Sequence, residues 1–188
     1  MRPEYSDEIV SLTKGYGGDW GINHTLRLLH LIEIIGKGRE YDADVVWVAA
    51  YLHDWGGYSP WIQPGIDHAV RSTEVARPFL QERDFPGVLI DHTLECISLH
   101  HSGGPNRSIE SILLSDADAL DFLGVVGVFR DLSKNPKDLR KAIDITKKRR
   151  EKLPGILCLD ASMEIANVRI RQMDELLARF EEDTWGCF

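Results

Sequence analysis

The segment Val45–Leu52, VVWVAAYL, carries no charge, and His53 and Asp54 follow it directly. A helix that is apolar on every side has no face to show to water, so this run predicts an element enclosed at the centre of a helical bundle. A buried strand is the competing reading for so short a run, but no turn residues flank it until Gly56-Gly57. His53 and Asp54 therefore fall at the edge of a core, where a carboxylate is costly unless it is paired or bound to a metal.

The rest of the chain predicts helices around that centre. Residues 6–14 form a short amphipathic helix with Ser6 as N-cap, and residues 21–36 a second one closed by Gly36. Asp42 caps the central helix, which runs to about His53. Gly57, Pro60, Pro64 and Gly65 mark a loop over 57–66. Asp67 caps a helix to about Gln81, and another spans about 86–101. After the Gly-Gly-Pro-Asn loop at 103–106, Ser108 caps a helix that carries SILLSDADALDFLGVV. The charged stretch 131–153, which includes KKRREK, is a solvated helix face. A last helix covers 160–182, with Ile165, Val168, Met173, Leu176 and Leu177 at helical spacing. No segment alternates as a half-buried strand does. The expected fold is all-α: one domain over 1–188, a bundle of about seven helices, with a motif-bearing core at about 18–130 and C-terminal helices of about 131–182 packed on it.

The charge balance narrows the partners. With 22 Lys and Arg against 30 Asp and Glu, the net charge is -8. Such a chain is not expected to bind nucleic acid stably or to lie on a membrane surface. A small anionic substrate stays open, because a bound metal supplies local positive charge. Cys96, Cys158 and Cys187 form no C-x-x-C pair, which fits free thiols in a reducing compartment. MRPEYSDEIVSLTKGYGG lacks the apolar run of a signal peptide, and no stretch approaches the roughly 18 apolar residues of a membrane span. A cytoplasmic location is expected.

Histidines fall at 24, 30, 53, 68, 92, 100 and 101. Imidazole and carboxylate donors together suit divalent transition metals, and donors from several helices can converge inside a bundle. Adjacent helical residues diverge by about 100°, so His53 and Asp54 at a helix end can approach one ion from two directions. His30 and His92 are expected to be hydrogen-bonded core histidines.

The ordered set His24, His53-Asp54 and Asp118 resembles the HD-domain phosphohydrolase superfamily. INHTLRLL places His24 and Arg27 in the H-x-x-R arrangement of that family's first helix. AAYLHDWG resembles its apolar-run-then-His-Asp-x-Gly signature, and HAVRSTEVARPFL its third helix. CISLHHSG carries His100 and His101 where many members have histidines. SDADALDFLGVVGVFR is similar to a segment of one subgroup of small bacterial single-domain members.

The resemblance implies a metal site of His24, His53, Asp54 and Asp118, with His68, His100 and His101 as a second site. It implies catalytic roles for Asp54, Arg27, His68 and His100. Among the neighbouring acids, Asp118 matches the family's A-D-x-L pattern. Asp121, three residues on, is a candidate to orient a ligand, and Asp116 is a cap or salt-bridge residue. Arg27, Arg71 and Arg130 are candidate phosphate ligands, Arg27 foremost. Trp20, Trp55 and Trp61 are packing residues, one of which is a candidate to stack on a base. Where many members carry Lys or an acid soon after His-Asp, this chain has Trp55-Gly56-Gly57.

The implied activity is hydrolysis of a nucleotide or other small phosphoester by a metal-activated water. The implied cofactor is a divalent transition metal, manganese favoured, with iron, nickel, zinc and magnesium as alternatives. One tightly held ion and a weaker second site are expected. Two other readings belong to different classes. One is a di-iron oxygenase with a six-ligand His and Asp set. The other is a non-catalytic sensor or interaction module, a reading disfavoured because all four core ligands are present.

Overall fold

The computed structural model describes residues 3–188, with side chains from Tyr5 onward. Among these residues the chain is all-α, without a strand. The helices are α1 Pro3–Ile35, α2 Ala43–Leu52, α3 His68–Gln81, α4 Gly87–Leu99, α5 Ile109–Asp121, α6 Val125–Lys134, α7 Leu139–Lys152 and α8 Asp160–Thr184. Short 3-10 turns occupy Trp55–Gly57 and Leu153–Ile156. No helix is long and apolar enough to cross a membrane.

Helix α2 stands at the centre, packed by α1, α4 and α5. Val45, Val46, Val48 and Leu52 are at most 3% exposed. Fully burying each such side chain is worth about 1.5–3 kcal/mol, so these four contribute on the order of 10 kcal/mol. That burial holds the polar pair at the end of the helix in place. Three of the four helix caps expected from the sequence form. Asp42 accepts from the backbone of Asp44 and Val45, Asp67 from Ala69 and Val70, and Ser108 from Ser111.

Three boundaries differ from the sequence reading. The two helices expected over 6–14 and 21–36 both form with wider bounds, and they meet within α1 at Gly18, whose φ of 59° and ψ of -164° are not helical. Ser6 lies inside this helix and is not its cap. The apolar run through GVV is not one helix, because Gly124, at φ 84°, ends α5 and starts α6 in a new direction. The charged stretch after it is likewise divided between α6 and α7.

The His-Asp end of α2 is fixed by one close approach. The Gly56 amide donates to Ser72 Oγ (2.8 Å), and that hydroxyl donates to the His53 carbonyl (2.5 Å). A Cβ at Gly56 would stand 2.4 Å from both the His68 carbonyl oxygen and the Ser72 amide nitrogen, so only glycine lets the turn touch the α3 backbone. Trp55, fully buried, stacks on Trp61 at 4.7 Å and donates to Thr13 Oγ1 (2.9 Å), as packing residues should. Gly56→Ala is expected to cost about 2–3 kcal/mol and to lower the melting temperature by about 5–10 °C, read by circular dichroism. An unchanged melting temperature would mean that α3 can shift away freely.

Candidate metal centre

Five segments bring the predicted histidines and carboxylates together. His24 comes from α1, His53 and Asp54 from the end of α2, His68 from the start of α3 and His100-His101 from the end of α4; Asp118 and Asp121 come from α5. His24, His53 and Asp118 offer ligand atoms that all lie within 4.8 Å of one another, as do His53, Asp54 and His100, and as do His68, His100 and His101. The Asp54 carboxylate faces two ways. Its Oδ2 is 3.5 Å from His53 Nε2 and 3.7 Å from His24 Nε2, while its Oδ1 is 3.5 Å from His68 Nε2. Asp118 Oδ1 is 3.2 Å from His24 Nε2.

The hydrogen bonds of the rings show that this donor set fits a cation. His24 Nδ1 lies 2.8 Å from Asp121 Oδ2 and 2.9 Å from Arg130 Nη1; the carboxylate only accepts and favours a proton on Nδ1, while the guanidinium, which only donates, pairs with the same Asp121 oxygen. His53 Nδ1 donates to the Ala50 carbonyl (2.9 Å) and His100 Nδ1 to that of Ile97 (2.6 Å). In each ring Nε2 is thereby left to bind inward, the usual arrangement of a metal-bound imidazole. His100 Nε2 is buried with no hydrogen-bond partner, which is costly for a polar atom unless something binds it.

Except at His24, the electrostatics agree with that arrangement. Burial opposes the charge on Asp54, but His53 and His24 outweigh it and hold the carboxyl at about 2. Asp118 is pushed well below the usual carboxylate range, with burial overcome by the hydrogen bond and charge of His24. Burial brings His100 and His101 down to about 4, with neighbouring histidines adding to the effect, so both rings are neutral at pH 7, and His101 Nε2 shares a hydrogen bond with His68 Nε2 (2.9 Å). His24 moves the other way: burial lowers it, yet hydrogen bonds to Asp118 and Asp121 raise it overall.

A cavity of about 510 Å³ opens onto the cluster. Asp54, His68, His101 and Asp118 line it, together with Trp20, Tyr58, Phe122, Lys134 and Arg149. His100 is fully buried and does not line this cavity. Arg27 does not reach it either. Its Nε donates to Asp121 Oδ1 (2.6 Å) and its Nη2 to Oδ2 (2.9 Å), so this arginine holds Asp121. Arg71 is turned away, donating to the Trp61 carbonyl and to Glu74. Arg130 also binds Asp121.

Asp116 accepts from the backbone amides of Cys158 and Leu159, just ahead of α8, and among the described residues it is neither a helix cap nor a salt-bridge partner. The two histidines expected in the core are not there. His30 is exposed, and His92 is half-buried with Nε2 3.1 Å from Glu110. Tyr58, Lys134 and Arg149 were not singled out from the sequence. For Tyr58 a signal existed, since Gly17 and Gly21, one turn apart, leave the gap its ring fills; a Cβ at either would come within 2.8 Å of that ring or its hydroxyl.

The sequence model of the HD domain matches residues 21–123, more than half of the 188 residues. The chain belongs to the HD domain family. His24, the His53-Asp54 doublet and Asp118 all fall inside the matched span. No curated protein matches the sequence significantly. Solved structures share the HD fold over nearly the whole chain. Bacillus subtilis YpgQ in complex with ADP is 23% identical, with a TM-score of 0.70 over 94% of this chain and 96% of that one. An HD-superfamily hydrolase from Bacillus thuringiensis is 21% identical, with a TM-score of 0.71 and 98% of both chains covered. A predicted HD-superfamily hydrolase from an uncultured Thermotogales bacterium is 22% identical, with a TM-score of 0.68 over 94% and 91%.

The acids of this HD centre set its response to pH. Burial opposes the ionisation of Asp121, but hydrogen bonds from His24 and Arg27 hold its carboxyl at about 2, below its ordinary 3.8. A carboxyl lowered in the folded state adds stability that is complete above about pH 5 and is lost as the pH falls from about 4 to 2. Metal-free protein should lose stability over that range, and Asp121→Asn should flatten the loss, as read by urea unfolding at stepped pH. A profile identical to wild type would show that Asp121 is not held as a charged partner.

Proposed function

We propose that the protein is a metal-dependent phosphohydrolase acting on a nucleotide or another small phosphoester. The observation that carries this reading is the convergence of inward-facing imidazole nitrogens with Asp54 and Asp118 at the wall of an open cavity. The HD-superfamily hydrolases among the similar structures support hydrolysis, and the ADP complex of YpgQ supports a nucleotide.

His24, His53, Asp54 and Asp118 would hold the principal ion. When bound, a divalent cation polarises a phosphoryl oxygen and makes a water acidic enough to ionise near neutral pH. Asp121 keeps His24 in the tautomer that binds through Nε2. Asp54 presents one oxygen to His24 and His53, and its other is placed to accept a hydrogen bond from the attacking water. His68 and His101 line the cavity, and His68 is placed to donate to the leaving oxygen as its bond to phosphorus breaks. Arg27 and His100, which do not line that cavity, act by positioning and by ligation.

Activity on nucleotides and simple phosphoesters should vanish in chelator and return preferentially with manganese or another transition metal over calcium. Asp54→Ala should lower turnover by about three orders of magnitude while the helical signal stays intact. Full activity in prolonged excess chelator, or near-wild-type turnover of this variant with a native metal load, would refute the proposal.

His68, His100 and His101 form a second candidate site that shares Asp54. It is the weaker one, because His68 and His101 are 35% and 47% exposed and Asp54 supplies its nearest carboxylate. One equivalent of metal is expected at limiting supply, rising toward two at high metal, and His68→Ala should abolish the second increment. Two equivalents in the protein as purified, with one lost in His68→Ala or His100→Ala, would overturn the single-ion preference. Iron with oxygen-dependent activity would favour an oxygenase instead.

A further inference from the structure

The wall of the cavity contributed by α6 and α7 has a character of its own. Lys134 Nζ stands 3.9 Å from the centroid of the Trp20 ring, and Arg130 Cζ stands 4.0 Å from it. The same guanidinium lies 4.1 Å from the Phe122 centroid, and Arg149 Cζ lies 4.0 Å from that ring. Three cations thus alternate with two aromatic rings, in the order Lys134, Trp20, Arg130, Phe122, Arg149. Each contact is within cation–π range.

The ladder is assembled by the fold. Gly124 redirects the chain so that Arg130 and Lys134, one turn apart on α6, both meet Trp20 of α1. Arg149 is fixed from α7 by buried Asp131, which also accepts from Thr146 Oγ1 (3.1 Å). The charge count is uneven. Arg130 is matched by Asp121 and Arg149 by Asp131, but among the described residues no carboxylate pairs with Lys134. Like charges this close repel, and the ring faces only partly offset that repulsion. The two outer cations, Lys134 and Arg149, line the cavity beside Asp54, His68, His101 and Asp118. Both also lie outside the span matched by the HD model.

From this geometry we infer that Lys134 and Arg149 form a subsite for a second phosphoryl group, so that the preferred substrate carries at least two linked phosphates. The inference rests on the phosphohydrolase reading for the place of the reacting phosphoryl group, at the histidine and aspartate cluster. The next phosphoryl group along then meets the ammonium and guanidinium, which leave the ladder's rings on one side and face the cavity on the other. A lysine ammonium offers a rotatable point charge and an arginine a fixed fork, and both are common phosphate ligands. Asp131 is the positioning residue for the arginine.

The test is binding to manganese-loaded protein, read by calorimetry and by tryptophan fluorescence, since Trp20 is in the ladder. The probes are AMP and the methylene-bridged analogue of ADP, which cannot be cleaved between its phosphates. Wild type should bind the diphosphate analogue at least about tenfold more tightly than AMP. Lys134→Ala should remove most of that preference and Lys134→Arg should keep it. Lys147→Ala, on the outer face of α7 and paired with Glu181, should leave it unchanged. An undiminished preference in Lys134→Ala, no preference in wild type, or no binding of either probe would overturn the subsite. Absence of turnover on every phosphoester, with the Lys134-dependent preference intact, would count against the phosphohydrolase reading and leave the subsite standing.

Discussion

The centre of this protein is held together by the balance of charge around Asp121. This buried carboxylate receives His24 from α1, Arg27 one turn further along the same helix, and Arg130 from α6. Each contact neutralises a group that would be expensive to bury alone, and removing one partner would strand the others. The same carboxylate fixes the proton of His24 on the nitrogen away from the cluster. The orientation of a candidate ligand and the packing of α1, α5 and α6 are therefore decided by one side chain. Arg27, which the family resemblance pointed toward substrate, has its Nε and one terminal nitrogen engaged by Asp121.

The centre of the fold was legible because its signals are local. VVWVAAYL is apolar at every angle, so no assignment of faces was needed to predict its burial. Asp42, Asp67 and Ser108 cap helices through amides two or three residues away, and a short sequence window contains the whole interaction. The core site residues were legible in a different way, through their order and flanks, which matched a family pattern. Periodicity alone would not have joined His24 to Asp118 across 94 positions.

What was misread depends on backbone torsion or on distant chain. Gly18 breaks the long N-terminal helical stretch and Gly124 lies within a run that looks helical, and neither declares its unusual dihedrals in composition. His30 was read as a core residue, although Leu28, Leu31, Ile32 and Ile35 already define the buried stripe of α1 and leave it outside. The KKRREK run was taken as uniformly solvated. Lys147 and Arg150 do face outward to Glu181 and Asp174, but Arg149 turns inward to Asp131 and Phe122. A charge run averages over a helix face, whereas a site uses one residue of it.

Asp116 links the cluster to the far end of the chain. Two residues before Asp118 on the same helix, it grips the amides of Cys158 and Leu159 just ahead of α8. Leu153 and Ile156, which form part of the cavity rim, immediately precede that grip. The rim is thus tethered to the helix that bears Asp118 by hydrogen bonds to a single carboxylate. That part of the aperture and Asp118 share one strut, so a shift of α5 moves both together and preserves the clearance between them.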